Sequence, residues 1–385
     1  MDVIEPVQAF RARPSFTRFD NGLFDRWSGN IRKKDDRVRI GLLVPFSGSD
    51  AIWGPSCQYS ATLAAAQINA SGGILGCETE LFAADAGGPP DVVAHRVRKL
   101  VEDSQIHACV GVHLSNVREA VSRELSGLVP YIFAPQYEGG QCHEGVIAIG
   151  ETPVQQYSGT VSWMIKQRKA EKWYLLGNDY IWPRQTNKVL RTLIQASGGT
   201  VIAEEYLPLG GGDHARILDR IKATGPDVVF ESLVGSESVR FNKSFGKAGL
   251  SGRIARLSGA IEENTLMGIG PEYSENLFCV SGYFNTIDTQ ENKKFLSDYH
   301  KAFGVNAPIQ GAISQSCYES LFALEALTRK SGSLDVSNML LHSKNFSYAA
   351  ARGVVNVSNN SSEMTAYLMQ SDGLVYKQVK VFPGF

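Results

Sequence analysis

From Val38 onward, short apolar runs alternate with amphipathic segments, and this rhythm restricts the chain to very few folds. VRIGLLV (Val38 to Val44) is almost continuously apolar, as a strand buried on both faces must be. The Ala-rich segment that follows favours helix and ends at Gly72-Gly73. Strand-like runs then recur at 79–84, 107–112 and 130–135. Between them lie helical patterns at 91–103, with Asp91 as the expected cap, and at 115–127, with Ser115 as the expected cap. Strand, helix, strand, helix is the signature of βαβ units on a parallel sheet.

The rhythm restarts after Thr152-Pro153. Helical patterns at 153–167, 183–199, 213–225 and 238–249 alternate with strand-like runs at 172–177, 200–209, 226–235, 253–259 and 277–284. Pro183 is the expected opening residue of its helix. Two helical patterns, 291–304 and 314–330, come next, and short alternating strands close the chain. These strands break the rhythm and are expected to join an existing lobe. The expected division is an amino-terminal extension (1–36), a first lobe (37–152 with 285–342) and a second lobe (153–284 with 343–385). Repeated crossings between lobes make a hinge, and the cleft between the lobes is a natural ligand site.

Composition narrows the function. With 38 basic and 39 acidic residues the formal net charge is −1, which leaves no electrostatic footprint for nucleic acid or an anionic membrane. The six cysteines form no CxxC pair and no cluster with histidine, so they read as core thiols and not as a zinc or redox centre. No GxxxxGK[ST], GxSxG or HExxH pattern occurs, and Gly210-Gly211-Gly212 lacks the GxGxxG spacing. The expectation is a non-catalytic protein with neither cofactor nor metal. An enzyme that uses the interlobe cleft is the rival, and turnover of a bound ligand would separate the two. Residues 1–36 show no basic stretch followed by an apolar core and a small-residue cleavage site. As written the chain therefore reads as cytoplasmic, or as periplasmic if the true start lies upstream.

Ligands of parallel α/β sheets bind beyond the carboxyl ends of the strands. The loop Pro45 to Gly54 offers hydroxyls, Ser47 among them. The loop after the third strand offers Ser115, which serves equally as a plain helix cap. FAPQYEGG puts Pro135 and Tyr137 at a strand end. LGNDYIWPRQTN places Tyr180 and Trp182 in a strand-to-helix loop, where aromatics can wall a small ligand or pack over the helix start. Glu231, Ser232 and Ser258 occupy equivalent strand ends in the second half. Glu231 is the candidate partner for a ligand ammonium, provided its register faces the cleft.

IGLLVPFSG, AAAQINASGGILG, ACVG with Ser115 beyond it, APQYEG, LGNDYIWPRQTN and YFNTIDT resemble the type I periplasmic binding proteins of the branched-chain amino acid and amide class. The pattern is nearest to amide-sensing regulators of aliphatic amidase operons and to urea- and short-chain-amide-binding proteins. The resemblance covers roughly residues 37–385 and implies an α/β, two-lobed fold. Each lobe would be a parallel sheet flanked by helices, with the ligand cleft at the hinge. It implies ligand contacts from Ser115, Phe133, Tyr180, Trp182 and Ser232. Phe133 and Trp182 stand at what resemble tyrosine positions, and the APQY segment is shorter than its counterpart. The implied function is an amide-responsive regulator that closes on a short-chain amide or urea and signals to an RNA-binding antiterminator. The alternative is the solute-binding component of an ABC importer for amides, urea or branched-chain amino acids, docking on its permease. Direct nucleic acid contact is not expected, and a homo-oligomer is left open.

Overall fold

The computed structural model describes residues 37–140, 142–358 and 361–384, and the extension expected over 1–36 lies outside them. The first sheet is built from β1 (Arg37–Val44), β2 (Glu78–Asp85), β3 (Ala108–Gly111), β4 (Tyr131–Phe133) and β5 (Val146–Ala148). Its order is β2-β1-β3-β4-β5 and every pairing is parallel. Helices α1 (Gly54–Ala70), α2 (Pro90–Glu102) and α3 (Ser115–Leu125) connect the strands. The continuous apolarity of β1 has its cause here. Ile40, Leu42 and Val44 enter the core on one face, while Leu43 enters the core on the other.

The second lobe carries α4 (Pro153–Arg168), β6 (Lys172–Asn178), α5 (Ile181–Ala196), β7 (Thr200–Leu207), α6 (His214–Thr224), β8 (Val228–Ser232), α7 (Gly235–Lys247), β9 (Ala255–Ser258), α8 (Glu263–Ile269) and β10 (Leu277–Ser281). The chain then returns to the first lobe with α9 (Gln290–Phe303), α10 (Ala312–Ser331) and α11 (Val336–Ser343). Both α9 and α10 contact α1, and Tyr318 on α10 donates a 2.6 Å hydrogen bond to Gln67 on α1.

The carboxyl-terminal strands separate into two groups. β11 (Asn345–Ala350), β12 (Gly353–Ser358) and β13 (Ser361–Ser362) form their own antiparallel sheet, with β11 against α10. β14 (Ala366–Asp372) and β15 (Val375–Phe382) add antiparallel strands to the second sheet, whose order is β15-β14-β10-β9-β8-β6-β7. The meander expected to extend an existing lobe does so only from Ala366 onward.

At three helices the residue expected to cap or open the helix is not the one that does. Pro89 holds the cap position of α2 with Asp91 in the first turn, and Leu114 holds that of α3 with Ser115 as its first residue. α5 begins at Ile181, two residues before Pro183, with Tyr180 at its cap position. A proline is accepted anywhere in the first turn because the N–H it lacks has no partner there. The short elements β5 and α8 carry too little periodicity to be read from sequence. The cysteines meet the expectation of core thiols: five are buried, Cys142 is half-buried, and no disulfide links them among the described residues.

Candidate functional site

Two loops from opposite lobes meet in the cleft. After β1, a single 3-10 turn (Ala51–Trp53) swings Trp53 inward, where it is buried. From the other lobe, the loop after β8 brings Val234, Gly235 and Ser236 up to the same turn, and the Ser236 N–H donates to the Ser49 carbonyl at 2.7 Å. The lobes are therefore closed on each other. Between them lies a chamber walled by Trp53, Ser115, Pro135 and Gln136 from the first lobe and by Tyr180, Trp182 and Val234 from the second. The Tyr180 and Trp182 rings lie 6.4 Å apart at 34°. A strand-to-helix loop, where both were expected, is ordinarily exposed. They are buried instead, because they stand at the cap and first turn of α5, facing the other lobe.

The polar groups of the chamber are specific. The indole N–H groups of Trp53 and Trp182 are buried with no hydrogen-bond partner among the described residues. Leaving such a donor unsatisfied costs about 1–3 kcal/mol. Ser115 donates its hydroxyl proton to Glu138 at 2.9 Å. The other oxygen of Glu138 accepts from Arg118 at 2.5 Å, and Arg118 also reaches Glu119. The Arg118 guanidinium sits 5.1 Å above the Phe133 ring and 5.9 Å from that of Tyr137. His113 also lines the chamber. It accepts from the Tyr131 hydroxyl at Nε2 and donates to the Leu114 carbonyl through Nδ1. Burial, helped by the Arg118 charge, pushes its pKa down to about 4, so it is neutral. Among the described residues, no Lys or Arg lines the chamber.

Of the residues singled out in the sequence, Ser115, Pro135, Tyr180 and Trp182 come together on these walls. The others lie elsewhere. Phe133 and Tyr137 belong to the core on the far face of the first sheet, beneath Arg118. Ser47 is exposed and donates to Asp85 at 2.6 Å, which ties the loop after β1 to that after β2. Glu231 is fully buried behind β8, bound by Asn242 at 2.9 Å and by Ser238 at 3.3 Å. Burial lifts it to about 7 against the pull of Arg256. Its register turns it away from the cleft, so it has no access to a ligand ammonium. Ser232 is spent on the Leu176 carbonyl and on Asn187, and Ser258 accepts from the Ala260 N–H. Sequence reasoning missed Trp53, although the argument that found Trp182, an aromatic in a loop after a strand, applies to it equally.

A second cavity adjoins the first at the hinge and shares Pro135, Gln136 and Ile313 with it. Glu151, Glu262 and Ser281 line it. Glu262 caps α8 through the Thr265 N–H at 3.1 Å and accepts from Asn264 at 2.9 Å. Glu263 accepts from the Asn285 N–H at 2.7 Å through Oε1, while its Oε2 has no partner among the described residues. Burial, with the Glu262 charge beside it, pushes Glu263 up to about 8. The folded chain then holds a proton that the unfolded chain releases near pH 4.5. This contribution is fully present below pH 4.5 and is lost as pH rises toward 8. Glu263→Gln, measured by urea unfolding without ligand, should match the parent at pH 4.5 and exceed it at pH 8 by on the order of a few kcal/mol. Equal stability of the two proteins at pH 8 would contradict the buried, raised carboxyl.

The pattern of a family described as periplasmic binding protein matches residues 37–374. The Leu/Ile/Val-binding protein BraC3 of Rhizobium johnstonii is 26% identical over 198 residues, 50% of this chain and 53% of that protein. The chain therefore spans about half the length of that relative. A solute-binding protein of an ABC transporter from Rhodopseudomonas palustris, solved with p-hydroxybenzoic acid, superposes with a TM-score of 0.82 at 20% identity, covering 90% of this chain and 97% of that one. A branched-chain amino acid transporter substrate-binding protein of Streptococcus pneumoniae, solved with isoleucine, superposes with a TM-score of 0.79 at 20% identity, covering 90% and 99%.

Proposed function

The chain belongs to the periplasmic binding protein family, and from that premise we propose that it is the extracytoplasmic solute-binding component of an ABC importer, a non-catalytic protein that closes on a small neutral amide or urea. The observation that carries this reading is the chamber built from both lobes, with Trp53 and Ser115 on one side and Tyr180 and Trp182 on the other. A ligand there is enclosed only when the lobes meet, so closure reports binding to a permease. The regulator reading uses the same chamber and differs in what senses closure. The relatives named as transport and amino-acid-binding proteins favour the importer.

Charge chooses the ligand class. A carboxylate placed at Ser115 would face the Glu138 carboxylate, and Arg118, whose Nη2 is held by Glu138 and Glu119 while its Nη1 has no partner among the described residues, is not one of the chamber's walls. An amide carries no charge to compensate. Its carbonyl oxygen suits the two partnerless indole N–H groups, and its N–H groups suit oxygen acceptors such as those of Ser115 and Gln136. This separates the chain from the isoleucine- and hydroxybenzoate-bound proteins of the same fold.

A thermal-shift panel tests the proposal. Acetamide, propionamide or urea at about 100 times its dissociation constant should add roughly 2.7 kcal/mol of stability, whereas isoleucine and p-hydroxybenzoate should add none. Stabilisation by either carboxylate, with the amides and urea silent, would overturn the amide assignment and leave the importer reading standing.

A further inference from the structure

Resting on the reading that the protein works by closing its lobes, we propose that closure is linked to a proton through Asp50: its carboxyl is charged while the lobes are apart and takes up a proton as the turn that carries it enters the second lobe.

The turn after β1 is set into the second lobe at several points. The Ser49 carbonyl accepts from the Ser236 N–H at 2.7 Å. A Cβ on Gly235 would lie 3.0 Å from the Asp50 Cα, and one on Gly268 of α8 would lie 3.5 Å from the Ile52 side chain. Asp50 therefore stands between two residues that touch the opposite lobe. It is 2% exposed, and its Oδ2 has no hydrogen-bond partner among the described residues. That oxygen has given up water without gaining a donor, which disfavours the charged form. Parting the lobes removes the second-lobe side of the enclosure and returns the carboxyl to water.

The groups around Asp50 offer it no counter-charge. Asp85 lies beside it, Tyr180 stands at the cap of α5, Cys57 lies on α1, and beyond Cys57 comes Glu262 at the cap of α8. Burial keeps Tyr180 and Cys57 neutral. Against partial burial, the Ser47 hydroxyl and the N–H groups of Gly87, Phe46 and Ser47 hold Asp85 below its ordinary range, so it stays charged. On α7, Glu237 is taken by His214 and Arg240. Burial, with the Asp85 charge adding to it, pushes Asp50 from 3.8 up to about 7 in the closed form. The sign follows: a carboxyl raised by closure favours the closed form below its open-state value, and that advantage is lost as pH rises through the closed-state value. Between pH 8 and pH 5 the closing equilibrium should gain about tenfold to a hundredfold.

Two measurements on the full chain test this. Small-angle X-ray scattering without ligand should show a more compact protein at pH 5 than at pH 8. Calorimetric titration with acetamide should show affinity about tenfold to a hundredfold higher at pH 5, and two buffers of different ionisation enthalpy should reveal uptake of about one proton near pH 5.5. Asp50→Asn should abolish the pH dependence and the uptake, and should bind at pH 8 as the parent does at pH 5. Acetamide binding equal at the two pH values, or an Asp50→Asn variant that keeps the parent's pH dependence, would overturn the inference and leave the amide reading intact. Silence of acetamide with compaction at pH 5 that Asp50→Asn removes would sink the amide reading and uphold the inference. Silence of acetamide with unchanged scattering would remove both.

Discussion

Gly235→Ala yields a folded protein that cannot close. Gly235 opens α7 at φ +54°, and a Cβ there would lie 2.0 Å from the Ser49 carbonyl oxygen and 3.0 Å from the Asp50 Cα. Both obstacles are backbone atoms of the opposite lobe. Neither can step aside as a flexible side chain would, so relief requires the lobes to part, which also breaks the bond from Ser236 to Ser49. Within its own lobe, alanine at this φ costs about 1–2 kcal/mol, a strain that a domain of this size absorbs. Affinity for amides should fall by at least about 100-fold, equivalent to roughly 2.7 kcal/mol. Circular dichroism and the melting temperature of the unliganded protein should change little. Full affinity in this variant would show that ligand capture does not require the contact seen here.

The second large effect is on stability. Arg352→Met should destabilise the chain by about 3–5 kcal/mol, because it strands buried carboxylates. Arg352 lies in the turn between β11 and β12, and its Nε donates to Glu319 on α10 at 3.0 Å. Its Nη1 approaches Glu151 to 4.0 Å. The other oxygen of Glu151 accepts from the Ser281 hydroxyl at 2.9 Å and the Gly282 N–H at 2.7 Å. The segments that cross between the lobes thus converge on one guanidinium. Burial already raises Glu319 against the pull of Arg352. Without that pull it rises further, and the folded state retains a proton that the unfolded chain loses near pH 4.5. The stability lost in urea unfolding should therefore be largest near pH 8 and shrink toward pH 5. Adding Glu319→Gln should restore part of it. A loss independent of pH would point to packing in place of charge.

The fold was legible because the inner strands of its two parallel arrays are buried on both faces, and such strands are written as unbroken apolar runs. VRIGLLV is one, and its two sets of side chains enter two different cores. Tyr180 and Trp182 were legible as candidates because a bulky aromatic after a strand has few other uses. Their burial was not, since it depends on the opposite lobe. Glu231 shows the limit of strand-end reasoning. It sits at the carboxyl end of β8, where ligands gather, but one step of register turns it into the lobe interior. The acidic pair at Glu262 and Glu263 was overlooked for a related reason. It belongs to a short helix without visible periodicity, and its proximity to Glu151 and α10 exists only after the chain has crossed the hinge. Glu138 was visible within APQYEG, but its hold on Ser115 and Arg118 joins two separate loops.

Tryptophan fluorescence tests the central claim most directly, because Trp53 and Trp182 form opposite walls of the chamber. The emission should change saturably as acetamide is titrated in, stay constant with isoleucine, and lose its response when Trp53→Phe and Trp182→Phe are combined. A saturable response to isoleucine with none to acetamide would contradict the account.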